Sequence, residues 1–118
     1  MFDRNVVYNL ANCENMLDYV FSQMGLSEDS SIEYPVCMTE AMGNPNYVRG
    51  AISEMMFECY QVPALSYMVD SLCAFHYNSN KLKKEGKLSN DPSTGIVVHV
   101  GHGTTHLIPV DYGEYNVS

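Results

Sequence analysis

Apolar side chains recur every three or four residues from Leu10 to Met24, which places them on one face of a helix. Asn9 or Asn12 can cap its start, because an asparagine side chain accepts a hydrogen bond from a backbone N–H of the first turn. Gly25 follows at a point where a left-handed residue ends a helix at little cost. The pattern predicts an amphipathic helix whose apolar face contains Leu10, Cys13, Met16, Leu17, Val20, Phe21 and Met24.

A second helix is predicted after Asn44-Pro45, a side-chain cap followed by a proline where no N–H is needed. It runs to about Tyr60. A third helix opens at Asp70 or Ser71 and is expected to end near residue 77. The buried stripe expected for the second helix consists of Val48, Ile52, Met55, Met56 and Cys59.

Short apolar stretches between these helices predict strands at 35–39 and 63–68. Farther along, Gly95–Val100 and Thr104–Val110 flank Gly101-His102-Gly103, which predicts a β-hairpin with a glycine-rich tip. Alternating strands and helices indicate an α/β fold. So few strands leave an open sheet with unpaired edges. Because the chain also stops at Val117-Ser118, we interpret it as a fragment or a truncated gene product.

The stretch 78–93 is polar and predicts an exposed, mobile loop or insertion after the third helix. Such a loop is tolerated because closing a longer loop costs little extra entropy. It contains all the lysines of the chain. These lysines either form a solvated surface or make a local patch that touches an acidic partner or DNA. They are Lys81, Lys83, Lys84 and Lys87.

Composition narrows the class of protein. The chain has 118 residues, which suits one domain or one piece of a larger one. Its apolar content of 46 % and mean hydropathy of −0.16 indicate a chain that is neither disordered nor membrane-embedded. No apolar run approaches the roughly 18 residues that span a bilayer, and no signal peptide is visible. A net charge of −8 argues against nucleic-acid binding by this piece alone. Four cysteines without a C-x-x-C pair are expected to be small buried apolar residues.

Three segments resemble the actin superfamily. They are Pro35–Ala41 with Asn44-Pro45 after it, Phe57-Glu58 with Val62–Ala64 after it, and Thr94–Pro109. The resemblance implies a partial actin-like ATPase fold, which is ribonuclease H-like, with an open mixed sheet and flanking helices. It assigns 1–93 to part of the first actin subdomain, with 78–93 as an exposed insertion. It assigns 94–118 to a phosphate-type hairpin that opens the third subdomain.

Within that superfamily the resemblance is strongest to the actin-related protein five family. It rests on Phe2–Val7, Asp18-Tyr19, Ser53–Tyr60, Asp70–Leu72 and Tyr77-Asn78. This resemblance implies a nuclear, non-catalytic subunit of the Ino-eighty class of chromatin remodellers, acting in transcription regulation and DNA repair. Its implied partners are the motor subunit and a small accessory subunit, with nucleosomal DNA contacted through the complex and no membrane.

The resemblance also places the candidate site. Catalytic actins carry magnesium-holding aspartates at the positions of His99 and His102, and a water-orienting glutamine at the position of Asp70. Imidazole is a poor ligand for this hard cation, so no catalytic or metal-binding residue is expected. Gly101, Gly103 and Thr104 complete a degenerate phosphate hairpin. No cofactor is expected for the fragment, whereas ATP or ADP is implied for a full-length relative.

Several alternatives stay open at this point. His99, His102 and His106 could be interpreted as a zinc site, but the first and last lie on opposite arms of the hairpin and the second at its tip. Glu40 and Asp70 could be paired carboxylates, although anchoring of a loop is the favoured role of Glu40. An actin-like ATP-binding protein or ATPase is the alternative function, and a truncated product without independent function is the third.

Overall fold

The computed structural model describes residues 2–3, 6–26, 31–87, 94–112 and 114–115. Two compact units divide the chain, residues 1–67 and residues 68–118. The order of elements is that of an α/β chain, as predicted. It runs β1 (Phe2–Asp3), β2 (Val6–Val7), α1 (Leu10–Gln23), β3 (Val36–Glu40), α2 (Asn46–Glu58), β4 (Leu65–Val69), α3 (Asp70–Lys84), β5 (Gly95–Val100), β6 (Thr105–Asp111) and β7 (Glu114–Tyr115).

Helix α1 begins and ends as its sequence predicts. The Asn9 side chain accepts a hydrogen bond of 3.0 Å from the backbone N–H of Asn12, which satisfies a donor that the helix leaves free. Gly25 follows with φ of +84°, a conformation that costs glycine little. The helix is tied to the segment after α2 by Tyr60, whose hydroxyl donates to Asp18 Oδ1 at 2.6 Å. Tyr60 also packs edge-on against Phe21, with ring centroids 4.9 Å apart.

The first unit buries one apolar cluster, formed mainly by the inner stripe of α2. Met56 and Val48 are 1 % and 2 % exposed, and Ile52 and Met55 lie beside them. The stripe predicted for α2 is therefore confirmed in these four positions.

The expectation of buried cysteines holds for Cys13 and fails for two others. Cys37 and Cys59 are exposed, and Cys73 is half-buried.

The start of α2 differs from the sequence prediction. Pro45 occupies the cap position, and no side chain caps the helix. Asn44 does not serve as the cap because its side-chain amide donates to Glu40 Oε2 at 2.9 Å. Glu40 also receives two hydrogen bonds from Arg49, one from Nε to Oε2 at 3.1 Å and one from Nη2 to Oε1. These bonds join the end of β3 to α2, which agrees with the anchoring role expected of Glu40.

Glu40 makes the stability of the first unit depend on pH in the acid range. Burial raises the pKa of its carboxyl, but the hydrogen bonds from Arg49 and Asn44 and the Arg49 charge outweigh burial and hold the pKa below its ordinary value. A depressed folded-state pKa stabilises the fold above the unfolded value of about 4.3, and this stability is lost as pH falls through the folded value.

Glu40→Gln is therefore expected to cost about 1–3 kcal/mol at pH 7 and less in acid, because it removes the negative charge and one of the two acceptor oxygens that Arg49 contacts. Urea denaturation at low protein concentration, at neutral and acidic pH, measures the difference. Glu54→Gln changes an exposed glutamate of α2 in the same unit and is the control. Equal losses at both pH values would contradict this account.

In the second unit, the interpretation of 78–93 as a loop is wrong for its first half. Helix α3 continues to Lys84, and Lys81, Lys83 and Lys84 lie in its last turn. Leu82 is half-buried, so the extension has an inward face despite its polar composition. Lysines near a helix C-terminus also interact favourably with its dipole. Residues 85–87 follow the helix, and 88–93 lie outside the described residues.

The predicted hairpin is present, with a third strand added. β5 and β6 pair antiparallel, with Gly95 opposite Val110 and Val100 opposite Thr105, and β7 pairs with β6. Helix α3 packs on β5 at two points. Ser71 meets His99 through a hydrogen bond, and a Cβ built on Gly95 would stand 2.9 Å from the Phe75 ring. Gly95 therefore allows the close approach of Phe75.

One face of the hairpin is apolar and exposed, and we call it the outer hairpin face. Its members alternate with the half-buried and buried residues of the opposite face, as the two-residue period of a strand requires. Val98 and Leu107 are cross-strand partners that are 60 % and 69 % exposed. The outer hairpin face consists of Ile96, Val98, Val100 and Leu107, with Thr105 and Pro109 beside them.

The longest helix in the described ranges is α3, with 15 residues. Within those ranges, no helix combines the length and the apolar character that crossing a membrane requires.

Candidate site at the hairpin and the start of α3

The hairpin tip is a tight turn from Gly101 to Thr104. The backbone N–H of Gly101 donates to the carbonyl oxygen of Thr104 at 2.9 Å, which closes the turn directly after β5. His102 is exposed at this tip. The structure therefore places the five predicted hairpin residues together, with His99 as the next-to-last residue of β5.

His99 and His106 face each other across the hairpin. They are register partners on β5 and β6, and their ring centroids are 6.2 Å apart at an angle of 79°. The Nε2 atom of His106 lies 3.0 Å from Thr104 Oγ1, which ties this ring to the turn. The two histidines are on opposite arms, as expected. Because they are paired in register, they nevertheless share one face, and the structure brings them together.

Ser71 connects this histidine pair to the first turn of α3. It is 5 % exposed, and its Oγ lies 2.8 Å from His99 Nδ1 and 2.9 Å from Asp70 Oδ1. Its backbone N–H donates to the same carboxylate oxygen at 2.5 Å. Asp70 Oδ2 lies 3.9 Å from His99 Nδ1. The hydroxyl and the backbone N–H of Ser71, the Asp70 carboxylate and the His99 ring thus lie close together at the start of α3.

The hydrogen-bond inventory fixes the direction of this chain of contacts. An ionised carboxylate only accepts, so the single Ser71 hydroxyl proton goes to Asp70. The serine oxygen then accepts from Nδ1–H of His99. This selects the Nδ1–H tautomer, and Nε2 carries the lone pair when the ring is neutral. Asp70 and Ser71 are therefore positioning residues for the His99 ring.

These residues do not fit a magnesium ion. Mg²⁺ takes oxygen ligands in octahedral geometry, whereas the groups at the hairpin are imidazoles. The Asp70 carboxylate is already engaged by Ser71. Among the residues that the structure describes, no three His, Cys, Asp or Glu side chains are placed to hold a metal ion.

Glu40 and Asp70, the possible carboxylate pair, belong to two separate hydrogen-bond networks. Glu40 is bound by Asn44 and Arg49, and Asp70 by Ser71. Each carboxylate therefore has partners in its own unit. Ser71 was absent from the residues expected at the site. The adjacent Asp70-Ser71 at a helix start was the available signal, but its link to His99 depends on a contact between residues 28 positions apart.

Comparison with known proteins decides the family. Residues 1–115 match the family model described as Actin. The chain belongs to the actin family. It is similar to proteins named actin-related protein 5, with 41 % identity over 113 residues to that of Gallus gallus, 38 % to that of Homo sapiens and 42 % to that of Arabidopsis thaliana. Each match covers 96 % of this chain.

These matches confirm the resemblance to the actin-related protein five family and the partial actin-like α/β fold. The chain spans 17 % of the length of the Gallus gallus and Homo sapiens relatives and 14 % of that of Arabidopsis thaliana. The division into actin subdomains at 93/94 stays a prediction. The assignment of His99, His102 and Asp70 to altered actin site positions stays a prediction as well.

The Ser71 contact is testable in this actin-family chain. Ser71→Ala is expected to cost about 1–2 kcal/mol, because it removes a buried hydroxyl that joins α3 to β5. It should also release the His99 ring, so that nuclear magnetic resonance of the imidazole nitrogens shows loss of the single Nδ1–H tautomer. Ser66→Ala, at an exposed position of β4, is the control and should change neither quantity. An unchanged tautomer ratio in Ser71→Ala would refute the contact.

Proposed function

We propose that this chain is a non-catalytic actin-related subunit, or a fragment of one. Its role is that of a structural and interaction component of a nuclear ATP-dependent chromatin-remodelling complex, in transcription regulation and DNA repair. The motor subunit and a small accessory subunit are its partners, and nucleosomal DNA is contacted through the complex. Similarity to proteins named actin-related protein 5 supports this proposal.

The observation that carries the non-catalytic part is the environment of His99. Its ring is held by Ser71 and Asp70 at the end of β5. The resemblance implies a magnesium-holding aspartate at that position in catalytic actins. Without a metal, the charge that develops on a transferring phosphoryl group lacks its main stabilising partner. Two of the three residues that would handle the metal and the attacking water, His99 and Asp70, are engaged at the contact between the hairpin and α3.

A second candidate function is binding of ATP or ADP without turnover in a full-length relative. The turn from Gly101 to Thr104 supports it, because a tight turn with small residues lets backbone N–H groups approach an anion. This candidate is compatible with the first, since a bound nucleotide can act as a structural element of a scaffold.

Affinity purification tests the proposal. A tagged full-length protein that carries this segment is recovered from nuclear extract, and its partners are identified by mass spectrometry. We expect a remodeller motor subunit and a small accessory subunit, and we expect them to remain after magnesium is chelated. The variant His102→Asp should recover the same partners, because scaffolding does not depend on this exposed ring at the tip. Recovery without any remodeller subunit would overturn the proposal.

A further inference from the structure

Helix α3 has two faces with different chemistry. Ser71, Phe75 and Leu82 lie on the side that is half-buried or buried. The other side borders an open cavity of about 410 Å³. We call this side the basic face. The residues that form it and line the cavity are Tyr77, Asn80, Lys81, Lys84 and Glu85.

The spacing of the basic face makes it one continuous stripe. Tyr77, Lys81 and Lys84 are four and three residues apart, so their side chains are neighbours along the helix. Tyr77 is 73 % exposed, so its ring is accessible to a ligand, as are the rings of several other tyrosines of the chain. The stripe presents an aromatic ring at one end and two ammonium groups beside it. Asn80 adds an amide at the same level.

The charge of the rest of the chain makes this face distinctive. The chain carries 14 acidic and 6 basic residues, and every lysine falls within 81–87. Lys87 is paired with Glu85 at 2.7 Å, so Lys81 and Lys84 are the ammonium groups that border the cavity. An acidic ligand is therefore attracted to one place on this chain and repelled by the remainder. That contrast fixes where such a ligand docks.

We infer that the basic face binds a carboxylate-rich helical segment of a partner protein. Carboxylates three or four residues apart on such a segment match the spacing of Lys81 and Lys84, and an apolar side chain one turn beyond them covers the ring of Tyr77. The inference rests on the proposed function, because it names one surface by which the subunit contacts its assembly.

Duplex DNA fits this face less well than an acidic segment does. Two lysines that neutralise two phosphates give only a shallow salt dependence and weak attraction, whereas phosphate-dominated binding uses several contacts. The net charge of −8 adds repulsion along a long polyanion. A short peptide engages the two lysines and the tyrosine without extending over acidic surface.

Fluorescence anisotropy with the full chain at low concentration tests the inference. The probe is a labelled helical peptide of about 15 residues, or four turns, with glutamates flanking a leucine stripe. A peptide with glutamine in place of glutamate and a labelled DNA duplex of about 20 base pairs are parallel probes. Lys81→Gln with Lys84→Gln should weaken glutamate-peptide binding about tenfold, since each ion pair contributes up to about 1 kcal/mol. Tyr77→Ala should weaken it by several fold, and Tyr77→Phe should not.

Lys83→Gln is the matched control, since this lysine is in the same turn and does not border the cavity. Circular dichroism shows whether helix content is retained. The inference would be overturned if Lys83→Gln weakened glutamate-peptide binding as much as the double variant does. It would also be overturned if the peptide showed no saturable binding. If the duplex bound more tightly than the peptide, and the same variants weakened its binding, the ligand of the basic face would be nucleic acid and not an acidic segment. A negative peptide result with remodeller subunits still recovered refutes this surface and leaves the proposed function standing.

Discussion

In isolation, the 118-residue chain is expected to self-associate through the outer hairpin face. Ile96 and Val100 are 72 % and 75 % exposed, and Val98 and Leu107 adjoin them across β5 and β6. Contiguous apolar surface of more than a few hundred Å² marks an interface or an aggregation liability. Light scattering coupled to size-exclusion chromatography should show dimers or larger species at micromolar concentration.

The double variant Val98→Asp, Leu107→Lys should shift the chain to a monomer, because it places an opposite-charge pair on this face. Met24→Asp is the matched control. It removes an apolar side chain that is 71 % exposed but lies after α1, outside the outer hairpin face, and should leave association unchanged. A sharp monomer peak from the unaltered chain, with a cooperative thermal transition, would contradict the prediction.

We expect no ATP turnover above background, either from this chain or from a full-length protein that carries it. The physical reason is the imidazole groups of His99 and His102 at a site where phosphoryl transfer requires a metal-neutralised charge. Phosphate release is measured with magnesium and ATP, with a protein-free sample as the reference. Conventional actin serves as the positive control.

His102→Ala is the diagnostic variant, because His102 is exposed at the tip and its removal leaves the Ser71–His99 contact in place. It should release no less phosphate than the unaltered chain. Magnesium-dependent release that disappears in His102→Ala would show that an imidazole serves the chemistry after all, and the ATPase alternative would then replace the non-catalytic proposal.

Local signals predicted the elements whose ends depend on local contacts. Asn9 caps α1 with its own side chain, and Gly25 ends the helix by adopting positive φ. The hairpin follows from alternation around a glycine-rich tip, and the structure pairs its two strands antiparallel. Such features need only neighbours in sequence, so the pattern contains them.

Elements controlled by distant partners were predicted less well. Asn44 was expected to cap α2, but the half-buried Glu40 carboxylate competes for its amide. The helix after residue 77 was missed because Asn and Ser favour turns, whereas the half-buried Leu82 gives it an inward face. For the site, the hairpin residues followed from sequence and resemblance. The Ser71–His99 contact did not, because two elements must pack before it exists.

The tyrosine that ties α1 to the end of α2 has an optical consequence. The chain has nine tyrosines and no tryptophan, so ultraviolet absorbance in alkali reports phenol ionisation. Burial, together with the hydrogen bond to Asp18 and the charges of Asp18 and Glu14, raises the pKa of Tyr60 far above its ordinary value. The stability this contact gives is complete below about pH 10 and is lost as pH rises through the folded-state value. Ionisation of Tyr60 in strong alkali is therefore expected to weaken the attachment of α1 to the end of α2, and a change in helix circular dichroism that accompanies the absorbance change would report it.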